Sequence, residues 1–233
     1  MIAGADEAGR GPVFGPMVLC GVLLEERALD ELKAAGVKDS KLLSPKRREM
    51  LAKLIAEKAE RLEVIELLPS EIDELRLAKK INLNEIEAMN FARILDRLKP
   101  KIAYVDSADP NPAMFKERIE RHMRTRSKLV VENYADRKYI VVSAASIIAK
   151  VRRDERIAEL RHKYGEFGSG YPADPRTIDF LERWVREHGR LPEFARKSWE
   201  TAQRIEGRAK QRLLSRGRPR AATSRKRLPR FST

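Results

Sequence analysis

The sequence predicts an α/β fold in which a mixed β-sheet is flanked by helices and followed by a C-terminal helical appendage. Short apolar runs come early in the chain and then alternate with segments whose apolar residues recur at helical spacing. This alternation is typical of a sheet covered by helices. The length of 233 residues suits one buried domain with an appendage better than two full domains.

The N-terminal segment predicts a β-hairpin. A short apolar run, residues 2–5, leads into Asp6, and a longer run, residues 13–24, supplies a second strand. Asp6 and Glu7 would point to opposite faces of an extended strand, so we expect the strand to end or twist there. The two glycines in residues 8–12 permit backbone conformations that would allow this.

Helices and one further strand are predicted for residues 44–100. Ser44 and Pro45 place an N-cap and a first-turn proline ahead of a helix, and Ser70 marks a second helix start. A longer helix with a buried stripe ends before Pro100. Between them, residues 61–68 predict a strand whose inward face holds Leu62, Val64 and Leu67.

The second half of the chain begins with a short apolar strand, residues 102–106, that ends in Asp106. A helix near residues 114–124 and a strand near 129–131 lead to Asp136. After the small-residue run 143–146, a long helix is expected from Ile147 to Tyr164, and residues 175–204 predict the helical appendage, with breaks at Gly189 and Pro192.

Asp6, Glu7 and Asp106 each follow a short apolar strand, so we expect these acids to meet at the edge of a buried sheet. Two unit charges about 4 Å apart repel by about 4 kcal/mol at an effective dielectric of about 20, and a divalent cation removes that cost. Oxygen ligands favour Mg2+ or Mn2+. With one cysteine and three scattered histidines, a zinc site is disfavoured. A metal-activated water suits phosphodiester hydrolysis. Taken alone, however, the pair Asp6 and Glu7 is equally compatible with two ordinary surface acids at a turn.

The net charge of +14 indicates an anionic partner, but its distribution is uneven. Residues 207–233 hold ten basic residues and no acid, which leaves 39 basic against 35 acidic residues in the rest. This tail, with its prolines and without apolar periodicity, is expected to be disordered and either attracts phosphates or acts as a solubilising extension. Its Gln211 to Leu214 stretch lacks the aromatic pair of sliding-clamp peptides, so no such partner is predicted.

No stretch has the apolar length of a membrane span or the pattern of a signal peptide, so we expect a cytoplasmic protein without membrane contact. The single cysteine, Cys20, lies in an apolar run and is expected to be a small buried residue. A charged fraction of 36%, with few Asn and Gln, is typical of proteins from hot environments. Neither a dinucleotide-binding glycine motif, a P-loop nor a nucleophile elbow occurs.

Six ordered blocks over about 170 residues resemble the ribonuclease HII family, the type 2 ribonucleases H, in its compact archaeal form. The first block is GADEAGRGPV, residues 4–13, and the last is GSGYP, residues 168–172. Between them lie VKDSKLLS at 37–44, YVDS at 104–107, ADRKY at 135–139 and the run 143–150.

The resemblance implies a ribonuclease H-like domain over residues 1–172 and a C-terminal helical region over 173–206, with the basic tail 207–233 outside it. It implies an endonuclease, expected to be monomeric, that uses one or two divalent ions, Mg2+ or Mn2+. Its substrates would be the RNA strand of RNA/DNA hybrids and ribonucleotides embedded in duplex DNA. The cut ends would carry 5′-phosphate and 3′-hydroxyl groups.

The resemblance also assigns site residues. Asp136, which alone would be interpreted as a helix-capping acid, becomes the fourth catalytic and metal-binding acid. The four acids are Asp6, Glu7, Asp106 and Asp136. The positions that match the family's sensor of the ribose 2′-hydroxyl are Gly9, Arg10, Gly11 and Tyr171. Candidate phosphate contacts are Lys41, Ser143, Ser146 and Lys150, although Lys150 is equally a solvated helix residue and Ser143 a helix cap.

One departure from the common family pattern is Glu132-Asn133-Tyr134, where a Glu-His-Lys triplet is frequent, and it puts any auxiliary role of that stretch in doubt. A competing hypothesis from another class is a nucleic-acid-binding protein in which the acids are structural. The two hypotheses differ in the effect of Asp6→Asn or Asp106→Asn. An enzyme loses hybrid cleavage while keeping its fold and duplex binding, whereas a binding protein has no cleavage to lose.

Overall fold

The computed structural model describes residues 1–216 and confirms the mixed sheet flanked by helices. Five strands lie in the order β3-β2-β1-β4-β5. β1 pairs antiparallel with β2, which pairs antiparallel with β3, whereas β1, β4 and β5 run parallel. The strands are β1 (Ile2–Ala8), β2 (Met17–Leu24), β3 (Arg61–Leu67), β4 (Ile102–Asp106) and β5 (Lys128–Glu132).

Two helical layers cover the sheet. Apolar residues of α4 and α5 pack on one face, while α1, α2 and α7 pack on the other. The N-terminal helices are α1 (Glu26–Ala34), α2 (Pro45–Lys58), α3 (Pro69–Asp73) and α4 (Leu83–Leu98). They are followed by α5 (Pro112–His122), α6 (Ala135–Lys138), α7 (Ile140–Tyr164), α8 (Pro175–His188) and α9 (Glu200–Arg216).

A third apolar cluster joins the C-terminal helices to the sheet domain. Phe14, in the loop between β1 and β2, contacts the rings of Phe167, Phe180 and Phe194 at centroid distances of 5.2 to 5.8 Å. Phe14 also forms an isolated β-bridge with Ala195. The C-terminal region is therefore anchored directly beside the glycine turn that follows β1.

The predicted hairpin is confirmed as β1 and β2, and Cys20 is buried as expected. The first strand was expected to end or twist at Asp6, and the first alternative is wrong, because β1 continues to Ala8. β3 is confirmed, but its inward face was only partly correct. Leu62 and Val64 pack on the α7 side, whereas Leu67 packs on the α4 side, as the two-residue period of a strand requires.

The helix boundaries also differ. α7 begins at Ile140, so the small-residue run 143–146 lies inside it instead of preceding it. Gly4 of β1 permits close packing against the start of α7, since a Cβ there would lie 2.1 Å from the Val141 carbonyl oxygen. Ser70 lies inside α3, which Glu71 caps by accepting from the Leu68 N–H at 2.7 Å.

Two further differences concern helices. α1 was not predicted, because only Ala28 and Leu32 are buried on it and two residues make no clear apolar stripe. α9 extends ten residues past 206, where the helical region was expected to end. The rest of the expected tail, residues 217–233, lies outside the described residues. Within residues 1–216, no helix is both long and apolar enough to cross a membrane.

Candidate active site

Asp6 and Asp106 lie side by side on adjacent parallel strands. Ala5 of β1 pairs with Val105 of β4, so the next residue of each strand is one of these acids. Asp106 is the last residue of β4, as predicted, while Asp6 is 5% exposed. The parallel pairing therefore brings together two acids that are 100 residues apart in the chain.

Asp6 and Glu7 point to opposite faces of β1. Ala3 and Ala5 pack on the α4 side and Ile2 and Ala8 on the α7 side, so the two-residue period directs Glu7 toward α4 and Asp6 toward α7. Asp106, on the neighbouring strand, lies close enough to raise the pKa of both.

Burial and mutual repulsion raise the free energy of the ionised form of these acids. Burial, followed by repulsion from Glu7 and Asp106, raises the pKa of Asp6, and the Ser146 hydroxyl partly offsets this rise. Burial and the neighbouring Glu87 raise the pKa of Glu7 to about 8. The site favours protons, or another cation, beside these carboxylates.

Asp136 joins the cluster from α6. The Ala135 N–H donates to Asp106 Oδ1 at 2.6 Å, which fixes the start of this short helix against the end of β4. Asp136 is 2% exposed, and burial raises its pKa, opposed chiefly by Lys41, whose Nζ lies 3.8 Å from Asp136 Oδ2. Burial also raises the pKa of Asp106 to about 6, although the Ala135 N–H opposes this.

Two carboxylate oxygens of the cluster, Glu7 Oε2 and Asp136 Oδ1, are buried without a hydrogen-bond partner. Native structures rarely leave such atoms unsatisfied unless a water or an ion occupies the position. Within residues 1–216, no three acidic, histidine or cysteine side chains stand in a ready-made metal-binding geometry. A bound cation would have to draw the carboxylates together.

The glycine turn after β1 is held by Arg196, which the sequence analysis missed. Its guanidinium donates to the carbonyl oxygens of Gly9 at 2.6 Å, Arg10 at 2.9 Å and Gly15 at 3.0 Å. Arg196 is fully buried. No local signal marks this residue, because an arginine in a polar segment normally indicates a solvated side chain.

Tyr171 lies against the same turn. A Cβ on Gly11 would be 3.3 Å from the Tyr171 ring, and the Gly11 carbonyl accepts from the Trp199 indole N–H at 3.0 Å. Tyr171 is 45% exposed. The structure thus brings Gly9, Arg10, Gly11 and Tyr171 together next to the acids.

The side chain of Arg10 turns inward. Its guanidinium pairs with Glu87 and donates to Asn84 Oδ1 at 2.7 Å. Glu87 is fully buried on α4, and burial raises its pKa to about 7 although Arg10 opposes the rise. An acid inside the buried stripe of α4 was a signal that sequence reasoning could have used.

The four predicted phosphate contacts differ in their exposure and in their hydrogen-bond partners. Lys41 is largely exposed beside Asp136, whereas Lys150 Nζ pairs with Asp154 at 2.5 Å. The Ser146 hydroxyl lies 3.0 Å from that of Ser40. Ser143 is buried inside α7, not at its cap, and its hydroxyl donates to the Asp136 carbonyl oxygen at 2.5 Å. Only Lys41 reaches solvent freely at the cluster.

Comparison with known proteins identifies the family of this chain. The ribonuclease HII family model matches residues 3–202. Ribonuclease HII of Pyrococcus abyssi is 45% identical over 216 residues, which cover 92% of this chain and 95% of that protein.

Two solved structures are similar over most of their length. The crystal structure of ribonuclease H2 from Pyrococcus horikoshii OT3 superposes with a TM-score of 0.84 at 45% identity, covering 90% of this chain and 99% of that one. Ribonuclease HII from Archaeoglobus fulgidus, solved in complex with PCNA, gives a TM-score of 0.79 at 45% identity, with coverages of 88% and 96%. Together with the family match over residues 3–202, these likenesses show that the chain belongs to the ribonuclease HII family and is an endoribonuclease.

Proposed function

We propose that this chain hydrolyses the RNA strand of RNA/DNA hybrids and cuts at ribonucleotides embedded in duplex DNA, leaving 5′-phosphate and 3′-hydroxyl ends. The proposal places Asp6, Glu7, Asp106 and Asp136 at the catalytic and metal-binding centre. The observation that carries it is the pair of buried, unpartnered carboxylate oxygens on Glu7 and Asp136 within this group of acids.

The acids suit hard divalent cations such as Mg2+ or Mn2+. Every proposed ligand is a carboxylate oxygen. Cys20 pairs with Asp6 across β1 and β2, but burial raises the pKa of its thiol and keeps it neutral. The raised pKa of Asp6 and of Glu7 shows that the ionised group is poorly compensated by the protein itself. When bound, divalent ions would lower the pKa of water and stabilise the charge that develops during phosphoryl transfer.

The surrounding residues orient the acids. The Ala135 N–H holds one oxygen of Asp106, and the Glu7 N–H donates to Asp6 Oδ1 at 2.7 Å. These bonds restrict the orientations of the Asp106 and Asp6 side chains. Lys41, largely exposed beside Asp136, is positioned to approach a substrate phosphate.

Recognition of ribose is assigned to the glycine turn and Tyr171. Arg196 holds the carbonyl oxygens of Gly9 and Arg10 and so fixes the shape of the turn that would meet a 2′-hydroxyl. The half-exposed ring of Tyr171 packs at Gly11, where it would face the same sugar. Arg10 would act through its backbone, because Glu87 and Asn84 hold its side chain.

The test is cleavage of labelled duplexes carrying one ribonucleotide, four ribonucleotides or none, each with Mg2+, Mn2+ or a chelator. We expect cutting beside ribose only when metal is present, and 5′-phosphate ends at the cuts. Asp6→Asn and Asp106→Asn should abolish cutting while preserving folding and duplex binding. Cleavage that survives both substitutions would remove the acids from the chemistry.

A further inference from the structure

Tyr134 adopts a left-handed backbone conformation next to the acid cluster. Its φ of 58° and ψ of 36° lie in a region that aromatic residues rarely occupy. It stands two residues before Asp136 and directly precedes Ala135, whose N–H binds Asp106. Glycine or asparagine would fit this backbone with less strain, so the fold alone does not explain a tyrosine here.

The residues around Tyr134 are anchored on both sides. The Glu132 carboxylate accepts from the Tyr139 hydroxyl at 2.8 Å, and the Asn133 amide donates to the Asp109 carbonyl oxygen at 2.9 Å. The Tyr134 carbonyl oxygen itself accepts from the Arg137 N–H at 3.0 Å. These hydrogen bonds fix the backbone on both sides of Tyr134.

The Tyr134 ring is exposed to solvent and does not pack in the core. Tyr134 is 61% exposed and belongs to none of the three apolar clusters. The Arg137 guanidinium lies over its ring at 4.8 Å from the centroid, and Arg137 Nε pairs with Asp39 at 3.2 Å. Together the ring and the guanidinium form a flat, ordered surface at the edge of the acid cluster.

We propose that Tyr134 and Arg137 bind the sugar–phosphate backbone of the substrate beside the cleaved phosphate, an inference that rests on the proposed function. Arg137 lies close enough to Asp136 to oppose the rise in its pKa, so a duplex whose phosphate reaches Asp136 would approach this surface. Its bases are paired and stacked, so the ring meets a sugar and the guanidinium meets a phosphate. Such a contact adds affinity without selecting a base sequence. Strain retained at an exposed aromatic is explained when the ring serves a ligand.

The test compares Tyr134→Asn and Tyr134→Phe in the full chain. Asparagine adopts the left-handed conformation more readily than tyrosine, so Tyr134→Asn should melt at the same temperature as the wild type or higher. Its KM for a hybrid, and its Kd measured by anisotropy in the presence of chelator, should rise about three- to tenfold with kcat unchanged. Tyr134→Phe keeps the ring and should bind like the wild type.

Lys99→Asn provides the matched control. Lys99 also has a positive φ, 51°, but it caps α4 at the opposite end of β4 from Asp106. This substitution should change the melting temperature in the same direction and leave KM within about twofold. Arg137→Gln should reduce the slope of log Kd against log salt by about one, whereas Tyr134→Asn, which removes no charge, should leave it unaltered.

Three results would overturn the proposal. They are an unchanged KM and Kd in Tyr134→Asn, binding by Tyr134→Phe as weak as that of Tyr134→Asn, and a large fall in melting temperature for Tyr134→Asn, which would make the ring structural. Failure of the proposed function is detected separately, by measuring binding and cleavage with the wild-type protein. A wild type that neither binds nor cuts ribose-containing duplexes would reject the function, and with it this surface.

Discussion

The guanidinium of Arg196 donates to the carbonyl oxygen of Gly9 at 2.6 Å, across 187 positions of the chain. The same group serves the carbonyls of Arg10 and Gly15, and burial lowers the pKa of Arg196 to about 9. A residue of the C-terminal region thus sets the shape of the turn that we assign to ribose recognition. The C-terminal region is therefore part of the candidate site.

Arg196→Lys should destabilise the protein and impair recognition together. Lysine presents its donors at one point and cannot span three carbonyls, so at least one buried carbonyl loses its partner, at about 1 to 3 kcal/mol. We expect a lower urea midpoint and a lower kcat/KM on a single-ribonucleotide duplex. Arg204→Lys, on the exposed face of α9, is the control and should change neither.

Arg196→Lys with wild-type stability and wild-type kcat/KM would show that the three hydrogen bonds contribute little. A loss of stability with unchanged recognition would instead separate the shape of the turn from the sensing of ribose.

Gly9→Ala should mainly lower the stability of the fold, whereas Gly11→Ala should mainly weaken substrate binding. Gly9 has a φ of 83°, and a Cβ there would lie 2.6 Å from Arg153 Cδ, so alanine adds both backbone strain and a clash. We expect Gly9→Ala to lower the free energy of unfolding by about 1 to 3 kcal/mol. At Gly11 the new methyl group meets only the Tyr171 ring, at 3.3 Å.

Gly11→Ala should therefore fold with nearly wild-type stability and show a raised KM for ribose-containing duplexes, because the methyl group shifts Tyr171. Chemical denaturation and steady-state kinetics on the two variants measure this difference. Equal stabilities of Gly9→Ala and Gly11→Ala would contradict the strain assigned to Gly9.

How much of the site was visible in the sequence depended on the distance over which each contact forms. Asp6 and Asp106 were predictable because each lies on a short apolar strand, and parallel strands bring such residues to one edge. Of the two alternatives expected at Asp6, that β1 ends or twists there, the first was wrong, because the acids need not share one face of the strand. Asp6 and Glu7 do not share a face, and Asp106 on the neighbouring strand lies near both.

The parts that sequence analysis missed depend on tertiary contacts. Nothing near Arg196 indicates that it reaches a turn at the other end of the chain. Asp136 lies in α6, four residues after the end of β5, and was found only through family resemblance. Glu87 was predictable in part. An acid within the buried stripe of α4 indicates a paired group, but it does not identify Arg10 as the partner.

Mg2+ should stabilise the wild type more than Asp6→Asn. Burial and the neighbouring acids make the metal-free cluster unfavourable, so removing the charge of Asp6 should raise the melting temperature in chelator. A ligand that binds only the folded state stabilises by about 2.7 kcal/mol at a concentration one hundred times its Kd. Wild-type protein should therefore gain melting temperature with Mg2+, and Asp6→Asn should gain less.

Thermal melts of both proteins in chelator and in millimolar MgCl2 check this prediction, with NaCl at matched ionic strength as the control. A wild-type melting temperature that does not respond to Mg2+ would count against a divalent site at the four acids.

Asp174 should make the loop before α8 sensitive to acid. Its carboxylate accepts from the Ser169 N–H at 2.6 Å and from the Arg176 N–H at 3.0 Å, and the Ser169 bond is the chief reason that the pKa of Asp174 is lowered. A folded-state pKa below the unfolded value of about 4 means that the folded protein binds fewer protons. Its contribution to stability is thus complete above about pH 4 and is lost as the pH falls further.

Asp174→Asn isolates this contribution, because asparagine still caps a helix but carries no charge. Above about pH 5 the variant should be less stable than the wild type, and the gap should close as the pH falls toward about 2. Urea denaturation of both proteins across that range measures the gap directly and cancels the titration of all other groups. A gap that stays constant with pH would mean that the ionised form of Asp174 is not what holds the Ser169 to Tyr171 loop.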